Sequence, residues 1–184
     1  MKAIALTLLL LFIAGAEVSG QQVIWNKSRP LTNADFRGAP RDTTSAAATR
    51  CRIGTRVCKK NLWNGKITIA VEAIFYPDSS WYVGEKMDAL TLKHEQGHFD
   101  IVEWYSRKLR NIIEANIKTV SDYNRYFQSA CDKLYLDYFL AQQKYELETS
   151  HGTNVHGQQK WDMFIQGQLD SLDAYKEVGC TQEK

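Results

Sequence analysis

The sequence predicts an α+β fold. Runs of β-branched residues occupy the first half of the chain, and helical periodicity takes over from about residue 85. No internal repeat or low-complexity linker divides the remainder, so residues 21–184 read as a single domain. The expected architecture is a small N-terminal mixed or antiparallel sheet, packed on one long helix that is followed by two further helices.

Residues 1–20 read as a secretory signal. Met1-Lys2 precedes an apolar run from Ala3 to Ala14, and small residues lead to Gly20, the expected cleavage point. The run is too short to span a membrane. The expected compartment is therefore the periplasm or the exterior of the cell. Beyond it, Val23-Ile24-Trp25 reads as a short strand and Leu31 to Gly38 as one helical turn closed by glycine. Ser45 to Ile53 alternates small and polar residues in the manner of a strand. Lys66 to Tyr76 is the strongest strand, entered from the turn signal Asn64-Gly65 and ended by Pro77. Trp81-Tyr82-Val83 fits a short edge strand.

From Glu85 to Lys118 there is no proline. Met87, Leu90, His94, His98, Ile101, Tyr105, Leu109, Ile112 and Ile117 recur at helical spacing and form one apolar stripe. Thr119 to Thr149 is mostly helical in pattern, its buried face traced by Val120, Tyr123, Phe127, Ala130, Leu134, Tyr138, Ala141 and Tyr145. His151-Gly152 breaks it. Asn154 then caps a last helix that turns Trp161, Ile165, Leu169, Leu172 and Tyr175 inward.

The most informative stretch lies on the long helix: His94-Glu95-Gln96-Gly97-His98. Two histidines at i and i+4 share one helix face, so both imidazoles can reach one ion. Zinc accepts neutral imidazole nitrogens at about 2.0–2.1 Å. Glu95, one residue round the helix, is placed to take a proton from a metal-bound water as general base. Gly97 in mid-helix costs about 1 kcal/mol relative to alanine, and its absent side chain is read as admitting a neighbouring strand or a substrate, or as a simply tolerated glycine.

A catalytic zinc usually keeps three protein ligands. All four histidines fall in two places, His94 with His98 and His151 with His156. The segment from Tyr145 to Gly152 is accordingly the expected source of the third ligand, with His151 ranked first. Glu148 is ranked second, either as a ligand or as a group that orients a ligand imidazole. His156 is expected on the surface. A metzincin continuation is excluded, because Ile101 and Trp104 stand where glycine and histidine would be needed. Glu103 and Glu114 share the helix of the motif and are carried away from it at 1.5 Å per residue. For Asp100 two readings stay open, a group that orients a neighbour and a solvated or helix-pairing acid.

Lys+Arg total 23 and Asp+Glu 21. That balance, without blocks of like charge, points to neither nucleic acid nor an anionic surface as partner. Cys51, Cys58, Cys131 and Cys180 make an even count, which in an exported chain suggests two disulfides. Of three connectivities, Cys51–Cys58 with Cys131–Cys180 is preferred.

Strands followed by an HExxH helix resemble the order of zincins. By that analogy Ser80 and Trp81 form the rim of a cleft in which a peptide adds to a sheet edge. Tyr145 is a further candidate beside the substrate, able to donate to an oxyanion, although a core position suits it better. The joint occurrence of several blocks is more specific. They are Trp25, Leu31-Thr32 and Asp35-Phe36-Arg37-Gly38; Phe75 and Ser80-Trp81; Leu92 through Ile101; Tyr105 through Arg110; and Tyr145 through Thr149, His151-Gly152, Gln159 and Trp161. In this order they resemble a bacterial family of predicted secreted zinc-dependent proteases, long catalogued as a domain of unknown function. The resemblance implies a zincin-like fold and a metallopeptidase acting on peptides or proteins. Two positions depart from it: glutamate at 146, where aspartate is more usual, and Asn33 in place of tryptophan. Neither touches the expected ligands. The alternative is a secreted, non-catalytic protein that zinc stabilises.

Overall fold

The computed structural model describes residues 20–41, 44–61, 63–84 and 87–180. Apart from Gly20, the expected signal segment lies outside these residues. Strands β1 (Val23–Ile24), β4 (Ile67–Phe75) and β3 (Cys51–Lys60) form an antiparallel sheet in the order β1-β4-β3. A separate two-stranded ribbon pairs β2 (Ala47–Ala48) with β5 (Trp81–Tyr82), Ala47 opposite Tyr82 and Ala48 opposite Trp81. The helices are α1 (Ala89–Asn116), the short α2 (Val120–Asp122), α3 (Gln128–Thr149) and α4 (Val155–Ser171). The fold is α+β, with small antiparallel sheets preceding the helices, as expected. Among the described residues no helix is long and apolar enough to cross a membrane.

Strand β4 is central because its residues are the most apolar: Ala70, Val71, Ala73 and Phe75 are fully or almost fully buried. Its inner face meets α1, whose Phe99, Ile101, Val102 and Leu109 are likewise buried. The expected strand over Ser45–Ile53 divides. Its first part pairs with β5, and its second part begins β3, which runs on to Lys60.

Helix α1 starts where Asp88 caps it, the carboxylate accepting from Thr91 N at 2.7 Å. Its polar residues on the buried side are internally paired. Glu103 accepts from Arg107 Nε at 2.8 Å and from Arg110 Nη1 at 2.9 Å. Arg107 donates on to Leu169 O at 2.7 Å, and Arg110 donates to Val71 O at 2.9 Å and Tyr175 O at 3.0 Å. One buried carboxylate thus carries two guanidinium groups that tie α1 to β4, α4 and the turn behind α4. On the opposite flank, Trp25 Nε1 and Gln96 Nε2 both donate to Asp100 Oδ1 at 2.7 Å, and Gln96 Oε1 accepts from Leu31 N at 2.7 Å. The N-terminal segment is thereby pinned along the back of the HExxH turn, which is the orienting one of the two readings of Asp100.

The cysteine pairing differs from expectation: the disulfide joins Cys58 to Cys180, while Cys51 and Cys131 are free. Cys51 and Cys58 lie seven residues apart on the same strand, a separation of about 24 Å, and no disulfide spans that. Cys58 stands at the register shift between Val57 and Lys59, a bulge that re-aims the side chain. The C-terminal segment runs back beside β4, where Val71 N donates to Val178 O, and this brings Cys180 within 6.5 Å (Cα–Cα) of Cys58.

Candidate metal centre

The site forms where the first turns of α1 meet the last turns of α3. Gly97 makes the approach possible: a Cβ there would fall 2.1 Å from the Tyr145 hydroxyl. Tyr145 is fully buried and donates to His94 O at 2.9 Å, so the missing side chain admits a phenol of the facing helix rather than substrate. Its ring stacks on His94 at 4.8 Å and meets His98 edge-on at 4.9 Å. Tyr145 is therefore a wall of the site, and its burial pushes the hydroxyl's pKa upward.

The tautomer of each imidazole follows from its outer nitrogen. His94 Nδ1 faces Gln158 Oε1 at 3.2 Å and His98 Nδ1 faces Gln142 Oε1 at 2.6 Å. Both amides are fixed from behind. Gln142 Nε2 donates to His98 O at 3.1 Å, and Gln158 Nε2 donates to Asp162 Oδ1 at 2.9 Å and the Tyr145 hydroxyl at 2.8 Å. An amide oxygen at Nδ1 holds the proton there and leaves Nε2 with a free lone pair, the form that binds metal.

The two Nε2 atoms lie 3.2 Å apart. Glu146 reaches across them, Oε2 at 3.3 Å from His94 Nε2 and Oε1 at 3.3 Å from His98 Nε2. The spacing of the two imidazole nitrogens is close to the edge of a tetrahedron with arms of about 2.0–2.1 Å, about 3.3 Å, and each of them faces a different oxygen of Glu146. Three donor atoms from His94, His98 and Glu146 lie within 4.8 Å of one another, so the group can hold a metal ion. Oε2 of Glu146 has no partner with hydrogen-bond alignment although two imidazole nitrogens stand close to it. Lone pairs that crowd one point without bonding each other are what a cation site requires. Burial raises the Glu146 pKa, but the facing His94 and His98 rings outweigh this and hold it well below the usual carboxylate range. Burial lowers that of His98, and the carboxylates of Glu146 and Glu95 outweigh it and raise the value.

The third donor thus comes from the expected segment but not from the expected residue. His151 stands beside Glu146, Nδ1 at 3.0 Å from Oε2, with its side chain 81% exposed. The reason is local backbone. Ser150, His151 and Gly152 all have positive φ (49°, 53° and 80°), so the chain coils away from the helix axis once α3 ends. Gly152 then crosses the face of His94, where a Cβ would lie 2.8 Å from the ring. Glu146, still helical, keeps its carboxylate pointed at α1. Glu148 is turned the other way and accepts from Trp161 Nε1 at 2.8 Å. His156 is exposed near the start of α4, as expected. No spacing in the sequence singled out Glu146, which follows the buried Tyr145 by one position and so points about 100° away from it round the helix.

Glu95 is 5% exposed, and its Oε2 has no hydrogen-bond partner. It lines two cavities that meet at the ligands. One, of about 470 Å³, is bounded by Ser45, Ala47, Asp88, His94, His151 and Thr153. The other, of about 350 Å³, is bounded by Ala48, Arg50, Cys51, His98, Tyr138 and Gln142. Ala47 of β2 touches both. The expected rim residues lie behind this strand. Trp81 is 6% exposed, and Ser80 is fully buried, donating to Tyr76 O and accepting from Arg50 N. Ala47 and Ala48 of β2 line these cavities, whereas Ser80 and Trp81 line neither.

No family model, curated protein or solved structure matches this chain. The functional reading therefore stands on the residues.

Proposed function

We propose that this chain is an exported zinc-dependent peptidase, with His94, His98 and Glu146 as metal ligands and Glu95 as general base. The observation that carries this reading is the convergence of three donor groups, with ligand atoms within 4.8 Å of one another, beside the buried Glu95, whose Oε2 has no hydrogen-bond partner. Two imidazoles and one carboxylate form a donor set that suits zinc and leaves a fourth position for water. When bound, the ion supplies Lewis acidity and lowers the pKa of its water towards about 7. Glu95 would hold the proton taken from a water at the site and pass it to the leaving amine. Gln142 and Gln158 keep the ligand rings in one tautomer throughout. Tyr145 seals the side of the site away from the groove.

Strand β2 supports a peptide as substrate. Ala46 accepts from Val83 N at 2.8 Å, which makes Ala46 a hydrogen-bonded member of the ribbon. In an antiparallel pair the next residue points its N–H and C=O to the other side. Ala47 accordingly offers both groups to the groove, where an extended chain can add as a further strand. The Cys58–Cys180 disulfide supports an oxidising compartment, in keeping with the signal-like start of the sequence.

The test pairs metal analysis with Glu95→Gln. Wild-type protein is expected to hold one zinc per chain and to cut denatured protein. The variant is expected to keep the zinc and lose at least about a hundredfold in rate. Zinc retained with no hydrolysis by wild type would favour the non-catalytic, zinc-stabilised alternative. Purified folded protein that binds no zinc at all would end both.

A further inference from the structure

Resting on the peptidase reading, we propose that Arg50 selects an acidic side chain of the substrate, within three residues on the N-terminal side of the scissile bond. The two cavities that flank the ligands differ in charge. On the His151 side the lining acids are Glu95, Glu146 and Asp88, the last engaged at the start of α1 by Thr91 N, and among the described residues no lysine or arginine lines it. On the other side Arg50 is, among the described residues, the one lysine or arginine, and it shares the cavity with the two metal-side carboxylates Glu95 and Glu146 and with His98, Cys51, Tyr138 and Gln142. Among the described residues no carboxylate stands within 4.0 Å of its guanidinium, although Arg29, Arg37, Arg56, Arg107 and others find one.

The root of this side chain is fixed. Arg50 N donates to the buried Ser80 hydroxyl at 2.9 Å, and Arg50 O accepts from Tyr76 N at 2.9 Å. Ser80, the expected rim residue, therefore acts at one remove, by anchoring the residue that reaches the groove.

Strand direction gives the side of the cut. A substrate adding to β2 in antiparallel sense runs its N-terminal part past Ala48 and towards Arg50. Arg50 lies three residues from Ala47, about 10 Å along an extended chain, which matches up to three residues of substrate. A guanidinium fork there recognises a planar carboxylate, while the small side chains of Ser45 to Ala48 leave the strand itself free of selective bulk.

The experiment digests a mixture of peptides from denatured protein with zinc-loaded enzyme and reads the cut sites by mass spectrometry. Asp and Glu are expected to be enriched about fivefold in the three positions before the cut, less so at high salt. Arg50→Glu is expected to reverse the preference towards Lys and Arg. A binding arm uses Glu95→Gln with matched Glu- and Gln-containing peptides, followed by fluorescence anisotropy, so that selection is read without turnover. Equal binding of the two peptides, an unaltered acidic preference in Arg50→Glu, or acidic enrichment after the cut instead of before it would each overturn the proposal. Loss of all cutting by wild type with peptide selection intact would instead count against the peptidase reading alone.

Discussion

At the scale of single residues, Glu146 and His151 divide a task that the sequence suggested for His151. On the proposed reading Glu146 is the ligand, and His151 stands beside it on the solvent side, Nδ1 at 3.0 Å from Oε2. Removing a ligand and removing its brace have different consequences. Glu146→Ala is expected to weaken zinc binding by well over a hundredfold, whereas His151→Ala is expected to cost about tenfold, the usual range for a group behind a ligand. Competition against a chelator of known affinity measures both. Equal losses, or a greater loss in His151→Ala, would return the ligand role to the imidazole. The same titration carries a pH dependence. The carboxylates of Glu146 and Glu95 outweigh burial and raise the His98 pKa in the metal-free protein. A proton must therefore leave His98 before metal enters once the pH falls through this raised value. Zinc affinity is expected to be level above it and to fall towards tenfold per pH unit below it. In Glu146→Gln, which removes the facing charge, the fall is expected to begin at lower pH.

At the scale of elements, much was legible because helix and strand signals are local. The HExxH helix, the cap at Asn154 and the inward face of α4 read directly from spacing, and Asn154 Oδ1 does accept from Gly157 N at 3.1 Å. What sequence spacing could not carry was pairing across elements. Cys51 and Cys58 look like a local staple until the chain between them is known to be extended. Glu146 looks like an unremarkable helical acid until α3 is laid against α1. The closeness of that approach is testable at Gly97. In an isolated helix, alanine there would gain about 1 kcal/mol. In this protein its Cβ meets a hydroxyl that cannot swing aside, since the Tyr145 ring is fully buried against His94. Gly97→Ala is expected to destabilise the fold by about 1–3 kcal/mol and to weaken zinc binding with it. Adding Tyr145→Phe, which by itself removes the bonds to His94 O and Gln158, is expected to restore part of the loss. Thermal unfolding of the four proteins of this cycle gives the coupling, and strict additivity would show that the two helices do not meet as described.

At the scale of the whole molecule, binding and stapling are separated along α1. His94 and His98 lie in its first third, whereas the C-terminal segment docks near Ile69, Arg110, Ile113 and Ile117 in its last third. The rise of a helix puts about 25 Å between them. The Cys58–Cys180 disulfide closes a separation of 122 residues at that far end. On the chain-entropy model such a loop stabilises the fold by up to about 5 kcal/mol, chiefly by restricting the unfolded chain. The double variant Cys58→Ser/Cys180→Ser is therefore expected to lose about 2–5 kcal/mol in denaturant unfolding while zinc affinity of the folded protein stays within about twofold. Thiol counting under denaturing, non-reducing conditions is expected to find the two free groups of Cys51 and Cys131 in the wild type. A third or fourth thiol would contradict the pairing. A zinc affinity that fell in step with stability would show that the staple and the metal centre form one cooperative unit.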